Sequence, residues 1–269
     1  MVNGDAMCLI LFLYEAHSDY RLILGANRDE FHERPTAPLS HWHPGRTMPG
    51  SGRGPVLSGR DLRGGGTWMG VARDGRFAAL TNYRDPSANQ NGAPTRGALV
   101  TDYLAGRDLP LAYLEKTART GVPHNGFNLL AGDRNGLFYY SNRGERIQAV
   151  APGIHGLSNR HLDSPWPKVV EGKRALARAC SAGPVSTEAI LEVLANQERP
   201  SDDRLPDTGI GLEWERLLSP VFITSPAYGT RSSSVLLVGR DGEVCFVERT
   251  FTPEGDAAGT RRFQFKIPM

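Results

Sequence analysis

The sequence has little cysteine, no long apolar run and no surplus of either charge. Three cysteines in 269 residues, Cys8, Cys180 and Cys245, are too few and too scattered for a disulfide framework or a zinc spacing. The apolar stretch near the start, Cys8–Tyr14, is too short to span a bilayer, and no Lys or Arg precedes it, which argues against a secretory signal. Thirty-one basic residues against 29 acidic give a formal net charge of +2 without any block of like charge, so neither nucleic acid nor an anionic membrane is implied as a partner. Internal repeats and low-complexity linkers are also missing. These absences point to a reducing, cytoplasmic setting and a chain long enough to bury a substantial core.

What is present reads as strands joined by tight turns. Cys8–Tyr14 and Arg21–Asn27 are rich in Leu, Ile, Phe and Tyr around a polar break, and so form a hairpin. Thr67–Ala72 and Phe77–Asn82 flank Asp74-Gly75, and Ser234–Gly239 and Val244–Arg249 flank Asp241-Gly242, the dipeptide that a type I′ turn prefers. Phe127–Gly132 and Leu137–Asn142 make a fourth pair. Helices are expected over Arg96–Ala105, Leu109–Thr120, Pro167–Ala182, Thr187–Asn196 and Leu212–Leu218. Residues 38–66 and 199–211, rich in Gly, Pro, Arg and Asp, read as long surface loops. Runs of strands alternating with runs of helices, without regular βαβ units, give a layered α+β chain.

Cysteine is the nucleophile whose activation needs least help. Cys8 follows Met7 directly, so translation from Met7, or removal of residues 1–7 as a leader, would make it the amino terminus. The domain proper is then 8–269. A free α-amine, with an ordinary pKa of roughly 7.7–8, could accept the thiol proton of the same residue. The alternative is that Cys8 is a small apolar group in the first buried strand. Cys180, on the apolar stripe of a helix, and Cys245, in "EVCFVE", are assigned to the core.

"GANRDEFHERP" places Asn27, Arg28, Asp29 and Glu30 at the end of the strand that pairs with Cys8. These four are either a solvated strand end or part of a site. In a site, Asp29 would orient an α-amine and Arg28 would hold a substrate carboxylate or favour the thiolate. Asn82 in "AALTNYR" and Asn159 in "HGLSNRH" also end strands; each is a turn former or an oxyanion donor, the latter worth on the order of 10²–10³ in rate. Arg231, in "YGTRSSSVLLV", is a surface charge or a further substrate contact. His41 to His43, with His32 nearby, lie in a Pro-containing loop without supporting ligands, and no metal is expected. Gly64–Gly66 lack the Lys-Ser/Thr of a phosphate loop.

Met-Cys before an apolar strand, "NRDE", "GGTWMGV", "LTNYRDP", "NGFNLL", "GLSN", "WPK" and "YGTRSSSVLLV" together resemble the NRDE family, which includes the transport-and-Golgi-organization-two proteins. The resemblance runs from Met7 to about Phe251. It extends to the amino-terminal-nucleophile (Ntn) hydrolases of the bile-salt hydrolase and penicillin V acylase branch, and so implies a four-layer αββα sandwich with two central antiparallel sheets. It implies Cys8 as nucleophile, Asp29 as the group that orients its amine, and Asn82 and Asn159 as the oxyanion hole. The branch carries an arginine three residues before the aspartate, where this chain has Ala26. Two functions follow from the resemblance. One is an amidase or acyltransferase acting on a non-peptide C–N or thioester bond, without a cofactor. The other is a non-catalytic binding or trafficking protein for haem, acyl-CoA or lipid ligands.

Overall fold

The computed structural model describes residues 7–44, 54–144, 146–181 and 183–268. Residues 1–6 of the expected leader lie outside the described residues. Thirteen strands are described: β1 (Met7–Tyr14), β2 (Tyr20–Phe31), β3 (Thr36–Trp42), β4 (Val56–Asp61), β5 (Met69–Ala72), β6 (Phe77–Asn82), β7 (Phe127–Asp133), β8 (Gly136–Ser141), β9 (Gln148–Ala149), β10 (Gly153–Leu157), β11 (Tyr228–Gly239), β12 (Glu243–Phe251) and β13 (Ala257–Lys266). The helices are α1 (Gly97–Ala105), α2 (Pro110–Arg119), α3 (Pro167–Ser181), α4 (Thr187–Leu194) and α5 (Leu212–Leu217). The expected α+β class with two antiparallel sheets is present. None of the described helices is long and apolar enough to cross a membrane.

The chain divides into two compact units. The first comprises the residues up to Glu33, 84–87 and 151–265, and its sheet runs β10-β1-β2-β11-β12-β13. Leu9, Leu11 and Ile23 on one sheet face pack with Val169 and Leu176 of α3 and Ile190, Leu191 and Leu194 of α4. Thirteen buried side chains make up that cluster, and burying an aliphatic side chain contributes roughly 1.5–3 kcal/mol, so this layer anchors the sheet. Cys180 belongs to this core and Cys245 is half-buried against it. The second unit, 34–83, 88–150 and 266–269, holds the sheet β3-β4-β5-β6-β7-β8-β9. Its core joins Leu80, Leu129 and Ala131 to Val100 and Leu104 of α1 and Leu114 of α2.

Three expectations are corrected. The segment 38–66 is not one loop: it contains most of β3 and all of β4, paired in antiparallel register. Pro38 sits in a strand at the sheet edge, where its missing N–H leaves no ladder bond unmade. The two Asp-Gly hairpins are not type I′. Gly75 and Gly242 have φ of 87° and 86°, while Asp74 and Asp241 stay out of the positive region. Gly75 N–H donates to Ala72 O and Gly242 N–H to Gly239 O, so each turn is a three-residue loop closed by a left-handed glycine. Finally, β2 does not stop at Asn27 but continues through the whole NRDE motif to Phe31.

Candidate functional site

The motif is buried because β2 is central. With β1 on one side and β11 on the other, its backbone polar groups are paired along its length. Asn27 and Asp29 are fully buried, Glu30 is 2% exposed and Arg28 8%. Four consecutive polar side chains in a sheet interior are therefore no solvated strand end.

The register decides where each one points. Directly paired residues share a sheet face and successive residues alternate. Cys8 pairs with Arg28, and Arg28 with Ser232, so these three share a face. Leu9 pairs with Asn27, and Met7 with Asp29, so Asn27 and Asp29 point to the other face, on which α3 and α4 lie. Asn27 is held there on every side: its Nδ2 donates to Leu194 O and Val221 O, both at 2.8 Å, and its Oδ1 accepts from Ser233 Oγ at 2.6 Å. Its role is to fasten the sheet to its helices.

Asp29 differs. Its Oδ1 accepts from Thr230 Oγ1 at 2.6 Å, but its buried Oδ2 has no hydrogen-bond partner among the described residues. Burial pushes the carboxyl up to about 6, against the pull of Lys168, the Thr230 hydroxyl and Arg28. The residue across from it is Met7, whose removal would turn the Cys8 nitrogen into an amine.

Cys8 is 4% exposed. Burial, then the Asp29 charge, push its thiol up to about 12, although Arg28 and the Asp29 N–H act the other way. With its nitrogen in a peptide bond, Cys8 is a protonated thiol. Arg28 Nη2 lies 3.5 Å from Glu30 Oε2. Arg231 is the extra residue of a β-bulge between Thr230 and Ser232, a device that re-aims a side chain. Its Nη1 donates to Phe31 O at 2.9 Å and His32 O at 3.2 Å. Burial and the neighbouring Arg28 both lower its pKa.

Asn159 follows the end of β10. Continuing the register from the Ile10–Leu157 pair brings it level with Cys8. Ser158 Oγ lies 3.1 Å from both Cys8 O and Asn159 Oδ1, sharing its proton between them. Cys8, Arg28, Asp29, Asn159 and Arg231 thus gather at one end of the first sheet. Asn82, 6% exposed, ends β6 in the second unit.

Three residues to which the sequence reading gave no role complete this end of the first unit. Arg84 Nη1 meets Glu215 Oε2 at 2.7 Å, each side chain 4% exposed. Its backbone N–H donates to Asn159 O at 2.8 Å, and its guanidinium lies 4.8 Å from the Trp166 ring centroid. Thr208 N–H and hydroxyl donate to the other Glu215 oxygen. Lys168, 5% exposed, donates to Leu218 O at 2.9 Å. The signal for Lys168 was its position: a lysine one residue into a helix opposes the helix dipole.

Comparison with known proteins adds the following. The sequence model of the Transport and Golgi organisation 2 family matches residues 7–253. The Transport and Golgi organization protein 2 homolog of Bos taurus is 39% identical, over 91% of this chain and 93% of its own length. The Homo sapiens homolog is 37% identical, over 97% and 99%. Among solved structures, the N-acylethanolamine-hydrolyzing acid amidase ortholog of Caenorhabditis elegans superimposes with a TM-score of 0.50 at 12% identity, covering 86% of this chain and 92% of its own. At that identity the likeness is one of fold alone.

Proposed function

The chain belongs to the Transport and Golgi organisation 2 family, and from that premise we propose that it is an Ntn-hydrolase-like amidase or acyltransferase with Cys8 as nucleophile. One observation carries the reading. A buried carboxylate oxygen, Asp29 Oδ2, has no hydrogen-bond partner among the described residues, and its strand position faces the residue whose loss would free the Cys8 nitrogen. An α-amine is a hydrogen-bond donor of the kind that oxygen lacks. Asp29 and the thiol lie on opposite sheet faces, so the carboxylate serves the amine rather than the sulfur.

The chemistry then runs on one residue. The amine takes the Sγ proton, and the thiolate attacks the acyl carbon of an amide or thioester. Asn159 donates to the oxygen that becomes negative. The C–N or C–S bond breaks, the leaving group takes the proton from the ammonium, and a thioester remains on Sγ. Water, or an acceptor nucleophile in acyl transfer, attacks that thioester, gives its proton to the amine and releases Sγ, which regains it. Arg28 and Arg231 supply positive charge for an anionic head group. The solved amidase of the same fold acts on N-acylethanolamines by its name, which supports a fatty acyl amide as substrate class.

To test this, a chain begun at Met7, and so processed to Cys8, is incubated with N-acyl amides and acyl thioesters and its intact mass is followed. An acyl adduct on Cys8 that is absent in Cys8→Ala supports the reading. No adduct with either class overturns it.

The two neighbouring guanidiniums favour a second reading, a carrier of acyl-CoA or haem. They suit a phosphate or a haem propionate, whereas the protonated, buried thiol fits poorly as an iron ligand. Saturable binding that survives Cys8→Ala and is lost in Arg231→Met would decide for the carrier.

A further inference from the structure

The NRDE strand meets α3 at a charge that helix chemistry does not explain. Lys168 is the second residue of α3, in the first turn, where unsatisfied backbone N–H groups already make the environment positive. It is buried, and an ammonium taken from water loses several kcal/mol of hydration. The Leu218 carbonyl is its one hydrogen-bond partner among the described residues. Burial pulls its pKa down to about 8, and the charges that resist this are Asp29, Cys8 and Glu215, with Arg84 acting in the same sense as burial.

The carboxylates are not equivalent. Glu215 is already neutralised by Arg84 at 2.7 Å and receives two bonds from Thr208. Asp29 receives one hydroxyl, and Lys168 is the strongest positive influence on it, ahead of Arg28, while Glu30 opposes. Asp29 points to the sheet face on which α3, the helix that carries Lys168, packs, and Asp29 Oδ2 has no hydrogen-bond partner among the described residues. An amine at the Cys8 nitrogen would therefore lie beside a carboxylate whose charge is already partly matched.

We propose that Lys168 is a positioning residue for the Cys8 chemistry: its buried ammonium is the counter-charge of Asp29, and it keeps the α-amine from being locked as an ammonium by that carboxylate. Without it, Asp29 and the amine would hold one proton between them to higher pH, and the amine could not take the thiol proton near neutrality. With it, Asp29 orients the amine by a hydrogen bond and leaves its lone pair available to Sγ. This rests on the terminal-amine reading given above.

The experiment measures the rate of Cys8 alkylation by iodoacetamide against pH, in the full chain and in a chain begun at Met7, with fold checked by circular dichroism. Lys168→Met in the Met7 chain should move the midpoint up by about one pH unit, the lower end of what a nearby charge does, and Lys168→Arg should restore it. In the unsubstituted Met7 chain, the ¹⁵N resonance of labelled cysteine should titrate at or below the ordinary α-amine range of roughly 7.7–8; this second measurement holds even if Lys168→Met does not fold. Equal alkylation of the full and Met7 chains would overturn the terminal-amine reading itself. Faster alkylation of the Met7 chain would leave that reading standing. In that case an unmoved midpoint in Lys168→Met, the same shift in Lys168→Arg, or an amine titrating about one unit above its ordinary range would overturn the role of Lys168.

Discussion

The second sheet and the NRDE end of the first both bury polar side chains, and they treat them differently. In the second sheet, Asn128 Nδ2 donates to Thr81 Oγ1 at 3.1 Å and its Oδ1 accepts from Tyr139 OH at 2.7 Å. Arg76 closes the C-terminal end of α1 through Tyr103 O at 2.6 Å and Leu104 O at 2.7 Å. Those groups hold the fold by matching donor to acceptor. In the first sheet Asn27 does the same, but Asp29, two residues on, keeps an oxygen without a hydrogen-bond partner among the described residues. A buried polar atom left open costs about 1–3 kcal/mol, and such a loss is tolerated where the group has something to bind. Between Asn27 and Asp29, matched burial marks the scaffold and the open oxygen marks the candidate site.

That contrast can be broken by substitution. The largest effect should come from Arg84→Met, which strands the Glu215 carboxylate in the interior. A loss of about 3–5 kcal/mol in denaturant unfolding is expected, and a loss under about 1 kcal/mol would mean that Glu215 reaches water instead. Asn27→Ala removes an amide tied to two carbonyls and a hydroxyl and should cost about 2–4 kcal/mol. Asp29→Asn keeps an oxygen for Thr230 and removes a charge that burial disfavours, so it should cost less than half as much while slowing alkylation of Cys8 in a chain begun at Met7. Equal stability losses at the two positions would erase the distinction between them.

The smallest effect concerns His155, on β10 beside β1. Its Nδ1 meets Asp163 Oδ2 at 2.7 Å and its Nε2 meets Ala151 O at 2.9 Å. Both ring nitrogens thus face acceptors, which suits the imidazolium, and the Asp163 bond holds the pKa above the ordinary histidine value. A raised folded value contributes stability that is complete below about 6.5 and fades as pH rises through the raised value. His155→Gln should remove an alkaline decline of about 1 kcal/mol seen in unfolding between pH 6 and 9. An unchanged slope would show that the imidazolium adds nothing.

Much of the first sheet was legible in the sequence because apolar strands and Asp-Gly turns announce hairpins. The limits were physical. "NRDE" reads as a solvated strand end since nothing local shows that β2 lies between two strands that satisfy its backbone. β3 and β4 were hidden by Pro and Gly that an edge strand tolerates. The strand that ends at Asn159 was legible, but its pairing with β1 is a long-range fact, and β13, largely exposed, went unread. Cys8, Arg28, Asp29, Asn159 and Arg231, which share one end of the first sheet, could be named as candidates from residue type and resemblance. Arg84 and Glu215 could not, because they are 131 positions apart, and Lys168 shows only its unfavourable place at a helix start, its partner Leu218 lying 50 positions away.

The intact mass and terminal sequence of the protein from its own host test the central claim most directly, since everything proposed at Cys8 depends on a free amine there. The account predicts a chain that begins at Cys8 with an unmodified α-amine. A chain that retains Met7 or any earlier residue, or whose Cys8 nitrogen is acylated, would contradict it.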